Sequence, residues 1–154
     1  MEKDELTYRI IGCAMKVHNT MGPGFQEVIY QRCLALELAR SGLAFHREKE
    51  QTVYYEKIEV GTRRADFVVE EKVIIEIKAL VKLEDVHIAQ AKNYTVAYDF
   101  PLGLLINFGG KSLEYKLLFN PKFYPVPNSA NSVNSDSDML PNPNPPKNGP
   151  QVTP

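Results

Sequence analysis

Asp66, Glu76 and Lys78 are the residues whose types and spacing best suit chemistry. They lie in the stretch 63–79, R-R-A-D-F-V-V-E-E-K-V-I-I-E-I-K-A. Residues 64–69 alternate, with Phe67 and Val69 on one face and Asp66 and Val68 on the other. Residues 73–78 are largely apolar on both faces, short and rich in β-branched side chains, which predicts a central strand covered on both sides. Period two then puts Ile74, Glu76 and Lys78 on one side and Val73, Ile75 and Ile77 on the other. The polar triplet Glu70, Glu71 and Lys72 predicts a tight turn between the two strands. If these are antiparallel neighbours, Asp66 joins the cluster. Ionised groups are costly to desolvate unless they pair or hold a metal. Two carboxylates beside an ammonium suit a divalent cation and phosphodiester chemistry. The plainer alternative is a salt-bridge network among the same three residues.

The rest of the chain supplies elements to position them. Residues 6–20 carry Leu6, Ile10, Ala14 and Val17 at helical spacing, and the stretch 21–24, M-G-P-G, ends that helix. Residues 25–40 read as a second helix closed by Ser41 and Gly42. Glu27 sits in its first turn, where an acid complements the helix dipole by about 0.3–1 kcal/mol. Tyr30 follows at i+3 on the same flank. Residues 43–47 and 51–55 read as short extended segments, Glu56 and Lys57 as a hairpin turn, and Gly61 as a break. Residues 82–99 read as a third helix whose inner stripe is Leu83, Val86, Gln90, Asn93, Tyr94 and Ala97. A glutamine in such a stripe needs hydrogen-bond partners. His18 reads as a solvated or capping histidine and His87 as an exposed one. Arg63, like the other basic residues of the sheet edge, reads as a solvated charge. Arg64, two before Asp66 on the same face, is the better candidate for a phosphate contact. Residues 102–108 and 113–119 complete the strands, with a hairpin connection at 109–112.

The spacing of Asp66 and Glu76-Ile77-Lys78 resembles the D-x(n)-E-x-K signature of the PD-(D/E)XK nuclease superfamily, with Ala65 where the name has proline. Gly24, Glu27 and Tyr30 meet the G-x-x-E-x-x-Y pattern of the GxxExxY group of small proteins within it. The resemblance spans about residues 6–120. It implies an α/β, restriction-endonuclease-like core, a central mixed β-sheet flanked by α-helices. It implies Mg²⁺ or Mn²⁺ held by Asp66 and Glu76 with Glu27, and Lys78 acting on the attacking water. It also implies a catalytic role for Gln90, since several branches carry a glutamine on the helix after the E-x-K strand. Arg64, Tyr30 and Tyr94 are the substrate-binding candidates. The implied activity is hydrolysis of phosphodiester bonds in DNA or RNA. A catalytically silent binding module acting with a partner protein is the alternative, and the intact D…E-x-K counts against it.

Composition bounds the rest. A hydrophobic share of 44% and a charged share of 24% are those of a globular domain with a real core. The net charge of −1 argues against a strongly basic, non-specific coat for nucleic acid. Nucleic acid, DNA foremost, is the expected partner, with a homodimer or a partner protein as further candidates. Cys13 and Cys33 lack C-x-x-C spacing and read as free thiols of a reducing cytoplasm. Residues 1–5 are acidic and polar, unlike a signal peptide, and no apolar run reaches membrane-spanning length. Residues 1–120 are expected to form the nuclease-like domain. Residues 121–154, rich in Pro, Asn and Ser, lack the apolar content to offset their ordering entropy and are expected to be a disordered tail.

Overall fold

The structure is a computed structural model that describes residues 3–125. Residues 126–154 of the expected tail lie outside the described residues. The elements run α1 (Lys3–Met21), α2 (Glu27–Arg40), β1 (Phe45–Tyr55), β2 (Ile58–Val69), β3 (Val73–Lys78), α3 (Asp85–Ala97), β4 (Leu102–Asn107) and β5 (Glu114–Phe119). The strands form one sheet in the order β1-β2-β3-β4-β5. Neighbours are antiparallel except β3 and β4, which are parallel and joined through α3. A parallel pair needs such a crossover, because its strands start at the same end. This is the expected mixed sheet flanked by helices.

Strand period two sends the two faces of β3 into two cores. Val73, Ile75 and Ile77 pack with Leu6, Ile10, Leu34 and Leu38 under α1 and α2. Ile74 packs with Ala65, Val68 and Tyr98 on the face that α3 covers. The VIIEIK run is therefore a central strand buried on both sides, as its composition predicts.

Three local features depart from the sequence reading. Residues 45–55 form one strand, not two segments, and Glu48 within it has φ +50°. Gly61 does not end β2. It pairs with Val53 where the register shifts, and glycine commonly marks such an irregularity. The buried residues of α3 are Ala91 and Thr95, with Tyr98 just past its end. Of the expected stripe Leu83 and Tyr94 pack against the core, while Val86 is 66% exposed and Gln90 and Asn93 face solvent. Small residues win that face because α3 approaches β4 closely. A Cβ on Gly103 would lie 2.1 Å from Thr95 Oγ1.

The loop after β3 is fixed by a buried amide. Asn107 Oδ1 accepts from Leu80 N–H at 2.7 Å, and its Nδ2 donates to Leu80 O and to Glu114 Oε1. His18, expected to be solvated or to cap its helix, is buried, with Nε2 2.9 Å from the Gly110 carbonyl. It ties the end of α1 to the β4–β5 turn.

Candidate active site

The site begins where two strands part. β2 and β3 pair at Val69↔Val73, Val68↔Ile74 and Phe67↔Ile75, and the ladder ends there. The next N–H, that of Ile77, donates instead to Asp66 Oδ2 at 2.7 Å. A side chain has replaced the main chain as acceptor, so the buried donor stays satisfied. Asp66 also departs from the alternation around it. Gln31 of α2 donates to its Oδ1 at 3.1 Å, from the helical side on which Phe67 and Val69 pack. Gln31 in turn accepts from Arg47 Nη2 at 2.7 Å.

Glu76, on the α3 side of β3, is 8% exposed. Arg63 Nη1 donates to its Oε2 at 3.1 Å and to the Tyr98 hydroxyl at 2.8 Å. The Arg63 guanidinium lies 3.9 Å from the Tyr94 ring centroid, a cation–π contact, and Tyr94 stacks with Tyr98. Arg63 is thus a built-in member of the site and not the solvated edge charge its neighbours suggested. Arg64, 71% exposed, pairs with Glu48 at 3.5 Å. Glu48 lines a cleft of ≈ 220 Å³ together with Glu27, Val28, Gln31, Asp66 and Ile77.

Electrostatics joins these groups. Burial raises the Asp66 carboxyl, against the Ile77 N–H, Gln31, Arg63 and Lys78. Burial raises Glu76 to about 7, helped by the Asp66 charge and opposed by Arg63 and Lys78. Burial also raises Glu27, which Lys78 lowers and Asp66 raises. Three carboxylates therefore share the field of one half-buried lysine. Lys78 has no ion-pair partner within 4.0 Å among the described residues.

The motif residues divide by role. Gly24 takes φ +109° in the turn before α2, a conformation that favours glycine. Tyr30 is fully buried. Its hydroxyl donates to Gly22 O at 2.5 Å and accepts from Phe25 N–H at 3.2 Å, and its ring stacks on Phe108. It braces the turn that presents Glu27, which corrects the expectation of a substrate contact: a buried phenol takes the nearest partners. Gln90 is exposed, and no hydrogen bond joins it to the carboxylates among the described residues. It flanks the inner stripe one turn before Tyr94. The glutamine that does bond Asp66 is Gln31, four residues after Glu27. Its place on the α2 stripe with Tyr30, Leu34 and Leu38 was the available signal.

The PD-(D/E)XK nuclease superfamily model matches residues 4–117. The chain belongs to the PD-(D/E)XK nuclease superfamily. No curated protein matches it. A solved structure titled "Crystal structure of SSO0001" has 19% identity and a TM-score of 0.46, covering 60% of this chain and 49% of that one. The chain thus spans about half the length of that chain. No helix among the described residues of this PD-(D/E)XK protein is long and apolar enough to cross a membrane.

The donor set of the PD-(D/E)XK signature suits a hard divalent ion: Glu76 is buried and Asp66 half-buried, and the two repel one another and keep lone pairs beyond their present bonds. No three acidic, His or Cys side chains form a ready cage among the described residues. Mg²⁺ commonly needs only one or two carboxylates and keeps its waters.

A pH dependence follows for the cation-free PD-(D/E)XK protein. Glu76 has a folded pKa of about 7 against 4.5 in the unfolded chain, so between these values the folded state binds more protons. Stability is then expected to fall as pH rises through this window, by roughly 3 kcal/mol from this group. Glu76→Gln should flatten the profile. Urea denaturation in EDTA from pH 4.5 to 7.5 checks this, and a wild-type profile matching that of the variant would contradict it.

Proposed function

We propose that the chain is a Mg²⁺- or Mn²⁺-dependent nuclease hydrolysing phosphodiester bonds in DNA or RNA, and that it falls in the GxxExxY group. The observation that carries the reading is the Ile77 N–H···Asp66 bond where the β2–β3 ladder ends, with Glu76 and Lys78 on either side of Ile77. In this reading Asp66 and Glu76 hold the cation, the Ile77 carbonyl is a third donor, and Glu27 acts from across the cleft through water. When bound, the cation supplies positive charge to the attacking water and to the phosphate oxygens. Lys78 orients or deprotonates that water and offsets charge that builds on the phosphate. Gln31 and Arg47 hold Asp66 in place. Arg64 and Tyr94 meet the substrate, and Gln90, on the exposed flank of α3, positions water or substrate in this reading. Residues 1–120 form the nuclease domain and 121–154 a tail. The free thiols of Cys13 and Cys33 fit a cytoplasmic protein.

Calorimetric titration with Mn²⁺ tests the reading. Wild type is expected to bind, and Glu76→Ala to lose at least about tenfold in affinity, the low end for a lost support of a metal site. Equal binding by the two proteins would remove the metal from this site.

A further inference from the structure

Arg63 is the group in the site that the proposed mechanism leaves without a task, and its contacts are unevenly distributed. All its hydrogen bonds among the described residues leave from Nη1: to Glu76 Oε2, to the Tyr98 hydroxyl and to the Arg64 carbonyl. Nη2 and Nε have no partner there. The Arg63 side chain is 35% exposed and that of Glu76 10%, so the guanidinium stands between the buried acid and solvent. The Tyr94 ring fixes its plane. Arg63 also belongs to the part of β2 that pairs with β1 alone, beyond the last β2–β3 pair at Phe67.

We propose that Arg63 is a substrate-phosphate clamp that serves as the counter-ion of Glu76 until the cation arrives. This rests on the nuclease reading and adds to it a residue and an order of events. A buried carboxylate without a counter-charge is costly, and in the absence of a cation Arg63 is its only ion-pair partner within 4.0 Å among the described residues. The guanidinium and the cation are then alternatives at the same acid. Once the cation takes the charge of Glu76, the planar fork is free to turn its donors to a phosphate oxygen. Guanidinium is suited to this, being weakly hydrated and matched to bidentate phosphate recognition. Before that point Glu76 would repel the phosphate that Arg63 attracts, so substrate binding at this position follows cation binding.

The two tasks give the variants opposite signatures. Arg63→Met keeps an apolar stem and removes the charge that lies over Tyr94. It is expected to bind Mn²⁺ about tenfold more tightly, because a competing positive charge beside Glu76 is gone. Its kcat/KM on a nucleic-acid substrate is expected to fall about 100-fold, the scale of one lost transition-state donor. Arg63→Lys keeps the charge but not the fork, so it is expected to keep wild-type Mn²⁺ affinity and still lose most of kcat/KM. Binding of a fluorescent oligonucleotide in Ca²⁺, read by anisotropy, is expected to weaken in both variants. Melting curves accompany each measurement, and if Arg63→Met does not fold, the Lys variant carries the test through its split between metal and substrate. Unchanged or weaker Mn²⁺ binding by a folded Arg63→Met overturns the counter-ion role. Wild-type oligonucleotide binding and cleavage by both variants overturn the clamp. If wild type itself binds no Mn²⁺, the nuclease reading fails and this proposal with it; if wild type binds Mn²⁺ normally, only the assignment of Arg63 is at stake.

Discussion

Replacing Lys78 with alanine is expected to slow cleavage by about 10²- to 10⁴-fold, the usual loss for a positioned acid–base group. Metal affinity and the melting temperature should stay near wild type. The reason is geometric: Lys78 acts on Glu27, Asp66 and Glu76 through its field and makes no ion pair within 4.0 Å of any of them. A charge held at that distance and half exposed contributes little stability, about 0–1 kcal/mol. Lys78→Met keeps the apolar stem and should behave alike. In a purely structural salt-bridge network the outcome reverses. There, removing the lysine strands buried carboxylates at about 3–5 kcal/mol, and no cleavage is lost because none exists. Single-turnover rates beside thermal melts separate the two.

Asp66→Ala is expected to have the largest combined effect. It removes the acceptor of the Ile77 N–H and of the Gln31 amide together. A buried donor left without a partner costs about 1–3 kcal/mol, so a net loss of roughly 2–4 kcal/mol is expected. Part is returned, because the Asp66 charge that raises Glu76 is gone. Metal binding and cleavage should both fall below detection. Asp66→Asn should lose metal and cleavage equally but less stability, since one amide oxygen can still accept one of the two bonds. Urea denaturation with Mn²⁺ titration of both variants checks this. A stable Asp66→Ala that still binds Mn²⁺ would contradict the placement of the ion.

Much of this arrangement was legible in the sequence, for reasons that lie in particular residues. Val73 to Lys78 could be read as a central strand because β-branched residues on both faces, a polar turn before and a short length agree. The pairing with 64–69 followed from that turn. The α/β core with its mixed sheet was legible at the same level. Arg63, Gln31 and Glu48 were not. Alternation holds while main-chain ladders hold, and it lapses at Asp66, where a carboxylate takes the bond of Ile77 and turns toward α2. On α3 only Leu83 and Tyr94 of the expected stripe pack inward, because Ala91 and Thr95 carry no strong apolar signal and the face is chosen by the close approach at Gly103. Tyr30 could be placed on the Glu27 flank, but not its hydroxyl on Gly22, which depends on a turn with Gly24 at positive φ.

The central claim is that Asp66, Glu76 and Lys78 form a metal-dependent phosphodiester-cleaving centre. The wild-type arm of the Lys78 comparison tests it most directly, on supercoiled plasmid, single-stranded DNA and RNA, each in Mg²⁺, Mn²⁺ and EDTA. The account predicts cleavage of at least one substrate with either metal, none in EDTA, and a rate at least about 100-fold lower for Lys78→Ala at matched concentration. Substrates left intact by a folded wild-type protein that binds Mn²⁺, or cleavage that persists in EDTA, would contradict it.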